Sequence, residues 1–151
     1  MKANRNILLH PPVSDLLHRA GQLADDAFVR YSTVQLTPRQ FAVLSCVAEQ
    51  DGLSQTDIVE RTGVDRSTLA DLIPRLLRKG LLRRSRSKDD ARRNEVHLTV
   101  RGRSVLQSAL VAARRTDVTI LECLTNGRRK ALLEALTAIA NARGLEHGSH
   151  R

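Results

Sequence analysis

Apolar residues at three- and four-residue spacing run through most of the chain and predict a largely helical protein. Leu16, Leu17, Ala20, Leu23, Ala24, Ala27, Phe28 and Tyr31 trace one stripe. That stripe predicts an amphipathic helix over about 14–32, entered from the breaker pair Pro11-Pro12. Thr37-Pro38-Arg39-Gln40 supplies an N-cap, a proline at the first helical position and a capping-box glutamine. The helix it opens carries Phe41, Val43, Leu44, Val47 and Ala48 and ends before Asp51-Gly52. Ser54 with Asp57 opens a third helix that stops at Gly63, and Asp65 caps a fourth that stops at Gly80. The positive pair Arg78-Lys79 suits that last terminus, where the helix dipole is negative.

The period then changes. Leu81 to Ser85 and Glu95 to Leu98 are short, partly alternating and separated by a charged loop, which predicts a two-stranded hairpin. Thr99 starts a long helix to about Leu124, and Arg128 to Arg143 forms another with Leu132, Leu136 and Ile139 on one stripe. The tail 144–151 has no apolar periodicity and is expected to fray. The fold class is mainly α with a small β-hairpin (α+β), one domain over residues 1–151.

Two helices joined by a glycine-containing turn, followed by a hairpin, make a winged helix-turn-helix over 36–99. Wound from Asp65, the fourth helix turns Leu69, Leu72, Ile73, Leu76 and Leu77 inward. Ser67, Asp71, Pro74 and Arg78 fall opposite, with Thr68, Ala70 and Arg75 beside them. Charge sharpens this picture. Of a net charge of +9, most lies between Arg75 and Arg93, where nine basic residues face two acids. A solvated face mixes signs within a turn, so this excess points to an anionic partner, either nucleic acid (here double-stranded DNA) or an acidic membrane surface.

The candidate DNA contacts follow from position and chemistry. Ser67 and Thr68 can exchange hydrogen bonds with bases or phosphates, and Arg75 can pair with phosphate or guanine. The plainer explanation of Ser67 and Thr68 is that such residues favour first helical turns whatever the ligand. Asp71 can accept from cytosine N4, but pairing with Arg75, four residues on, is the favoured role. Pro74 costs roughly 3 kcal/mol inside a helix and is expected to kink or bend it. On the hairpin, Arg84, Arg86, Lys88, Arg92 and Arg93 form the basic set. An arginine at a narrow ribbon's tip suits the minor groove, and Asp90, two residues before Arg92, is placed to hold the loop.

Other functions lack their residues. There is no glycine-rich nucleotide loop, no Walker sequence and no metal-ligand spacing, so an enzyme is disfavoured and no cofactor is expected. His10, His18, His97, His147 and His150 are scattered. Cys46 and Cys123 lie in apolar stretches and are expected as buried, reduced thiols of a cytoplasmic protein. The chain shows neither a signal peptide nor a run of about 18 apolar residues, and its charge sits on a hairpin, so no membrane partner is expected.

The helices over 11–32 and 100–143 bring more aliphatic surface than a small winged core needs. The long one is apolar on more than one side, with Val105, Leu106, Leu110, Val111, Val118, Ile120 and Leu121. They are expected to dimerise the chain, since a reader of pseudo-palindromic DNA presents two recognition helices at fixed spacing. The alternative is that they cap the core of a single chain.

In its motifs and their order the chain resembles the MarR family of winged helix-turn-helix transcriptional regulators. The likeness runs through Leu36-Thr37-Pro38-Arg39-Gln40-Phe41-Ala42-Val43-Leu44, Leu53-Ser54-Gln55 and Thr62-Gly63-Val64-Asp65-Arg66-Ser67-Thr68. It continues in Leu76-Leu77-Arg78-Lys79-Gly80-Leu81-Leu82-Arg83-Arg84, Asp90-Ala91-Arg92 and Leu98-Thr99-Val100-Arg101-Gly102. The resemblance implies a triangular homodimer on a pseudo-palindromic operator, usually a repressor, often released by a small phenolic, anionic or acyl-CoA effector. It carries the family's wing arginine to Arg92, the supporting acid to Asp90, and the recognition contacts to Ser67, Thr68, Asp71 and Arg75. Asp71 and Pro74 depart from the family's usual residues and bear on which operator is read. The family's effector cleft maps to His18, Arg19, Phe28, Tyr31 and Phe41. A competing class is an architectural protein that coats DNA without choosing sequence.

Overall fold

A computed structural model of the protein describes residues 11–87 and 94–142. The elements are α1 (Val13–Tyr31), α2 (Pro38–Glu49), α3 (Gln55–Thr62), α4 (Arg66–Arg78), β1 (Leu82–Arg86), β2 (Asn94–Leu98), α5 (Val100–Leu121) and α6 (Asn126–Ala142). The order matches that expected from the sequence pattern, with boundaries shifted by a few residues. The wing tip, with Lys88, Asp90, Arg92 and Arg93, and the tail 144–151 lie outside the described residues.

The local signals act as their chemistry requires. Thr37 Oγ1 accepts from the Gln40 N–H at 3.2 Å, and Gln40 Oε1 accepts from the Thr37 N–H at 3.2 Å. Ser54 and Asp57 close the same reciprocal box on α3. Gly63 ends α3 at φ 67°, a left-handed conformation that a side chain disfavours, and this turns the chain sharply into α4. Thr37→Ala is expected to cost about 1 kcal/mol. Urea unfolding would show it as a lower midpoint at unchanged slope. An unmoved midpoint would mean that water replaces the cap fully.

One apolar cluster holds the reader together. Leu69, Ile73 and Leu76 of α4 pack with Val43, Leu44 and Val47 of α2, Ile58 of α3, and Leu53, Val96 and Leu98. The hairpin is antiparallel, pairing Leu82 with Leu98 and Arg86 with Asn94. Leu53 adds a bridge that the sequence pattern does not announce: its carbonyl accepts from the Val96 N–H at 2.8 Å. That bridge ties the wing to the loop between α2 and α3.

α1 and α5 pack against each other more extensively than any other pair of helices. Ala27 and Phe28 of α1 and Leu106, Ala109 and Ala112 of α5 are buried, so these helices do complete the core of the single chain. The remainder of their apolar surface is open. Leu16, Leu17 and Leu23 of α1 and Val111 and Val118 of α5 are exposed. α6 buries no residue, and Leu133, Leu136 and Ile139 face outward. Arg129 Nε joins α6 to the end of α5 by donating to the Leu121 and Leu124 carbonyls at 2.8 and 3.0 Å. No described helix is long and apolar enough to cross a membrane.

Candidate nucleic-acid interface

α4 stands with its inner face in the core and its outer face open. Ser67, Asp71 and Arg75 are exposed and Thr68 is half-buried. Asp65 caps the helix: its carboxylate accepts from the Thr68 N–H at 2.8 Å, the Ser67 hydroxyl at 2.6 Å and the Thr68 hydroxyl at 2.6 Å. Bonds from the Ser67 and Thr68 hydroxyls, then from the Thr68 amide, hold the Asp65 carboxyl well below the usual carboxylate range. The helix-start role weighed for Ser67 and Thr68 is therefore present.

One expectation on this face is corrected. Asp71 and Arg75 make no ion pair: both side chains stand in solvent, where such a pair gains little against water and side-chain entropy. α4 continues as one helix from Arg66 to Arg78 with Pro74 inside it. The proline leaves the Ala70 carbonyl without its helical donor. Ala70 is exposed and Pro74 half-buried, so the missing bond lies toward the outer face of α4 and not in the core. Leu72, Ile73 and Leu76, buried on either side of the proline, hold the backbone in place.

The wing brings its arginines to the same side. Arg84 and Arg86 are exposed, two residues apart on β1, and so project from one face of the ribbon. Arg84 meets Arg66, the first residue of α4, across a cleft of about 270 Å³ lined also by Ser54, Gln55, Thr56, Asn94 and Val96. Two guanidiniums thus stand at the N-terminal end of α3. The crease between reader and wing is cationic and polar, suited to a phosphate backbone.

His97 is a positioning residue that sequence reasoning missed, having placed it among scattered histidines. It is buried on β2, and its Nε2 lies 2.8 Å from Ser85 Oγ across the hairpin. Its Nδ1 lies 2.9 Å from Asp51 Oδ2, off the line of a hydrogen bond, and Glu95 Oε2 is 3.9 Å from Nε2. The imidazole therefore braces both strands against the loop that carries Asp51. The sequence pattern hid it: strand alternation sets His97 on the face opposite Val96 and Leu98, and its burial comes from Ser85 across the hairpin and from Asp51.

The residues expected around an effector divide into two groups. Phe28 and Phe41 pack at 5.1 Å between ring centroids, tilted by 45°. Tyr31 shares a hydrogen bond of 2.9 Å with Thr119, and the Arg115 guanidinium lies 4.4 Å from its ring centre. These aromatics converge where α1, α2 and α5 meet. His18 and Arg19 sit two to three turns earlier on exposed α1, with Arg19 held 3.8 Å from Asp15. A groove of about 470 Å³ opens nearby, lined by Asp25, Pro38, Arg39, Ala42 and the α3–α4 turn 62–65, and holds none of the five.

The two cysteines also part ways. Cys46 is buried, and desolvation, partly offset by Arg61, pushes its thiol pKa up. Cys123 corrects the expectation of a buried thiol: it is exposed at the end of α5, where its Sγ–H donates to the Ile120 carbonyl at 3.0 Å. The apolar run around it reports a helix face that this chain does not itself cover.

A sequence model of the MarR family matches residues 36–93, from just before α2 to just before β2. The structure of the PcaV transcriptional regulator from Streptomyces coelicolor, in complex with its natural ligand, superposes with a TM-score of 0.80. It is 30% identical, over 94% of this chain and 99% of that one. The chain belongs to the MarR family. It is accordingly a DNA-binding transcriptional regulator and not an enzyme. A putative transcriptional regulatory protein for the hcr operon of Thauera aromatica is 32% identical, over 78% of this chain and 73% of that protein. A third MarR-like neighbour, the transcriptional repressor CouR bound to a 23-mer DNA duplex, is 34% identical with a TM-score of 0.76. It covers 85% of this chain and 92% of its own.

Proposed function

We propose that the protein is a homodimeric repressor that holds a pseudo-palindromic operator and is released by a small anionic effector, an aromatic acid or acyl-CoA. The observation that carries the DNA-binding half is the cationic crease, where Arg66 of α4, Arg84 of the wing and the N-terminus of α3 converge beside the open face of α4. Recognition helix and wing thereby engage one duplex together, in the major groove and along its flank. The uncovered apolar faces of α1, α5 and α6 support the dimer, since no described residue of α6 is fully buried in a single chain. The aromatics Phe28, Tyr31 and Phe41, with Arg115 at their edge and His18 and Arg19 further along α1, support an aromatic or acyl anion as effector.

Binding to the DNA upstream of the protein's own coding region, against a shuffled duplex of equal length, tests this at physiological salt. Low salt would flatter any basic protein. A preference of about a thousandfold or more is expected for a specific regulator. Equal affinity for the two duplexes would favour the architectural reading and remove autoregulation.

A further inference from the structure

A hydroxyl has one proton to give. In α4 that proton is already committed at two successive positions: Ser67 Oγ donates to Asp65 Oδ1 and Thr68 Oγ1 to Asp65 Oδ2, each at 2.6 Å. What both hydroxyls then present outward is lone pairs alone. Asp71, one turn on, is exposed and unpaired with Arg75, and an ionised carboxylate can only accept. Three positions along the N-terminal half of the reading face are thus acceptors, and the first outward donor after them is Arg75.

The major-groove edges of the bases divide by the same property. Adenine offers an N6 amino group and cytosine an N4 amino group, both donors, whereas guanine offers the acceptors N7 and O6 and thymine O4 and a methyl. We infer that Asp65 sets the sequence preference of the reader: by holding the Ser67 and Thr68 protons, it makes this end of α4 select adenine or cytosine and turn away guanine. Asp65 touches no base. It is a positioning residue that acts through the two hydroxyls, while Arg75 keeps the donor chemistry suited to guanine or phosphate. The inference rests on sequence-specific DNA binding as proposed above.

The test is selection of binding sites from a random duplex library by the full chain and by Ser67→Ala, Thr68→Val and Asp65→Asn. The two hydroxyl variants mark which base position each hydroxyl meets, by loss of preference at that position alone. At the marked positions the unaltered protein is expected to favour adenine or cytosine by about five- to a hundred-fold. Asparagine still caps a helix as well as aspartate, but its amide also donates, so one hydroxyl accepts from it and frees its own proton. Asp65→Asn is therefore expected to admit guanine or thymine at one marked position while the rest of the motif survives. The surviving motif reports that the variant is folded. Guanine at the marked positions in the unaltered protein would overturn the inference. So would a motif that Asp65→Asn leaves unchanged, or one indifferent to both hydroxyl variants. If the unaltered protein enriches no motif at all, sequence-specific binding itself falls, and with it this inference.

Discussion

Gly102→Ala is expected to lower stability by about 2–3 kcal/mol, the upper part of the usual range for overpacking a core. Gly102 is buried in the first turn of α5. A Cβ built there would lie 2.0 Å from the Leu81 carbonyl oxygen and 2.9 Å from Leu98 Cδ2. The first of these neighbours is backbone, so no rotamer change relieves the clash. That carbonyl is also in use: it accepts from the Thr99 N–H at 3.1 Å, while the Thr99 hydroxyl donates to the neighbouring Gly80 carbonyl at 2.6 Å. Moving α5 outward thus breaks the joint at which the end of α4, the base of the wing and the start of α5 meet. The gain in helix propensity from glycine to alanine, about 1 kcal/mol, offsets only part of this. Gly21, inside α1 with nothing within 4 Å of its own added Cβ, provides the comparison in which propensity acts alone. Urea unfolding of both variants separates the two effects. Equal or higher stability of Gly102→Ala would show that the Leu81 backbone yields freely, and that the wing is not fixed at this joint.

The joint also marks where sequence reasoning stops. Thr37, Ser54, Asp65 and Thr99 are legible as caps because capping is settled within three residues of chain, and each does cap its helix. The inner stripe of α4 is legible because period 3.6 places Leu69, Leu72, Ile73 and Leu76 on one side whatever they meet. Gly102 gives no such signal, because its requirement comes from Leu81, on the far side of the hairpin. The bridge from Leu53 to Val96 and the brace from His97 to Asp51 are likewise set by contacts across some 40 residues of sequence. Cys123 fails differently. Its neighbours Val118, Ile120 and Leu121 carry the periodicity of a buried face, yet Val118 is 54% exposed. Periodicity reports what a helix face needs, and not whether the same chain supplies it. For the reading face, residue types alone offered Ser67 and Thr68 either polarity of hydrogen bond. Only the placement of the Asp65 carboxylate decided between them.

Operator affinity is expected to fall about a thousandfold between 50 and 200 mM salt. Arg75, Arg78, Arg83, Arg84 and Arg86 are exposed on α4 and β1, and a dimer carries each of them twice. Each phosphate neutralised releases condensed counterions and adds about −0.9 to the slope of log K against log salt concentration. Asp65 and Asp71 on the same face work the other way, which keeps the slope below what the arginine count alone would give. If the protein binds as the proposed dimer and Arg84 meets backbone phosphate, Arg84→Ala is expected to reduce the slope by about 2, since Arg84 lines the crease beside α3. Titration of cognate and shuffled duplexes at several salt concentrations checks this. A slope near zero, or one indifferent to Arg84→Ala, would remove the crease from the interface. The comparison of the two duplexes carries the sharper consequence. Contacts to phosphate are common to both, so their slopes are expected to run parallel. On the proposed reading the gap between the lines belongs to Ser67, Thr68 and Asp71, whose hydrogen bonds to base edges would displace water and few counterions. A gap that closes as salt rises would place the discrimination in charge and not in the reading face of α4.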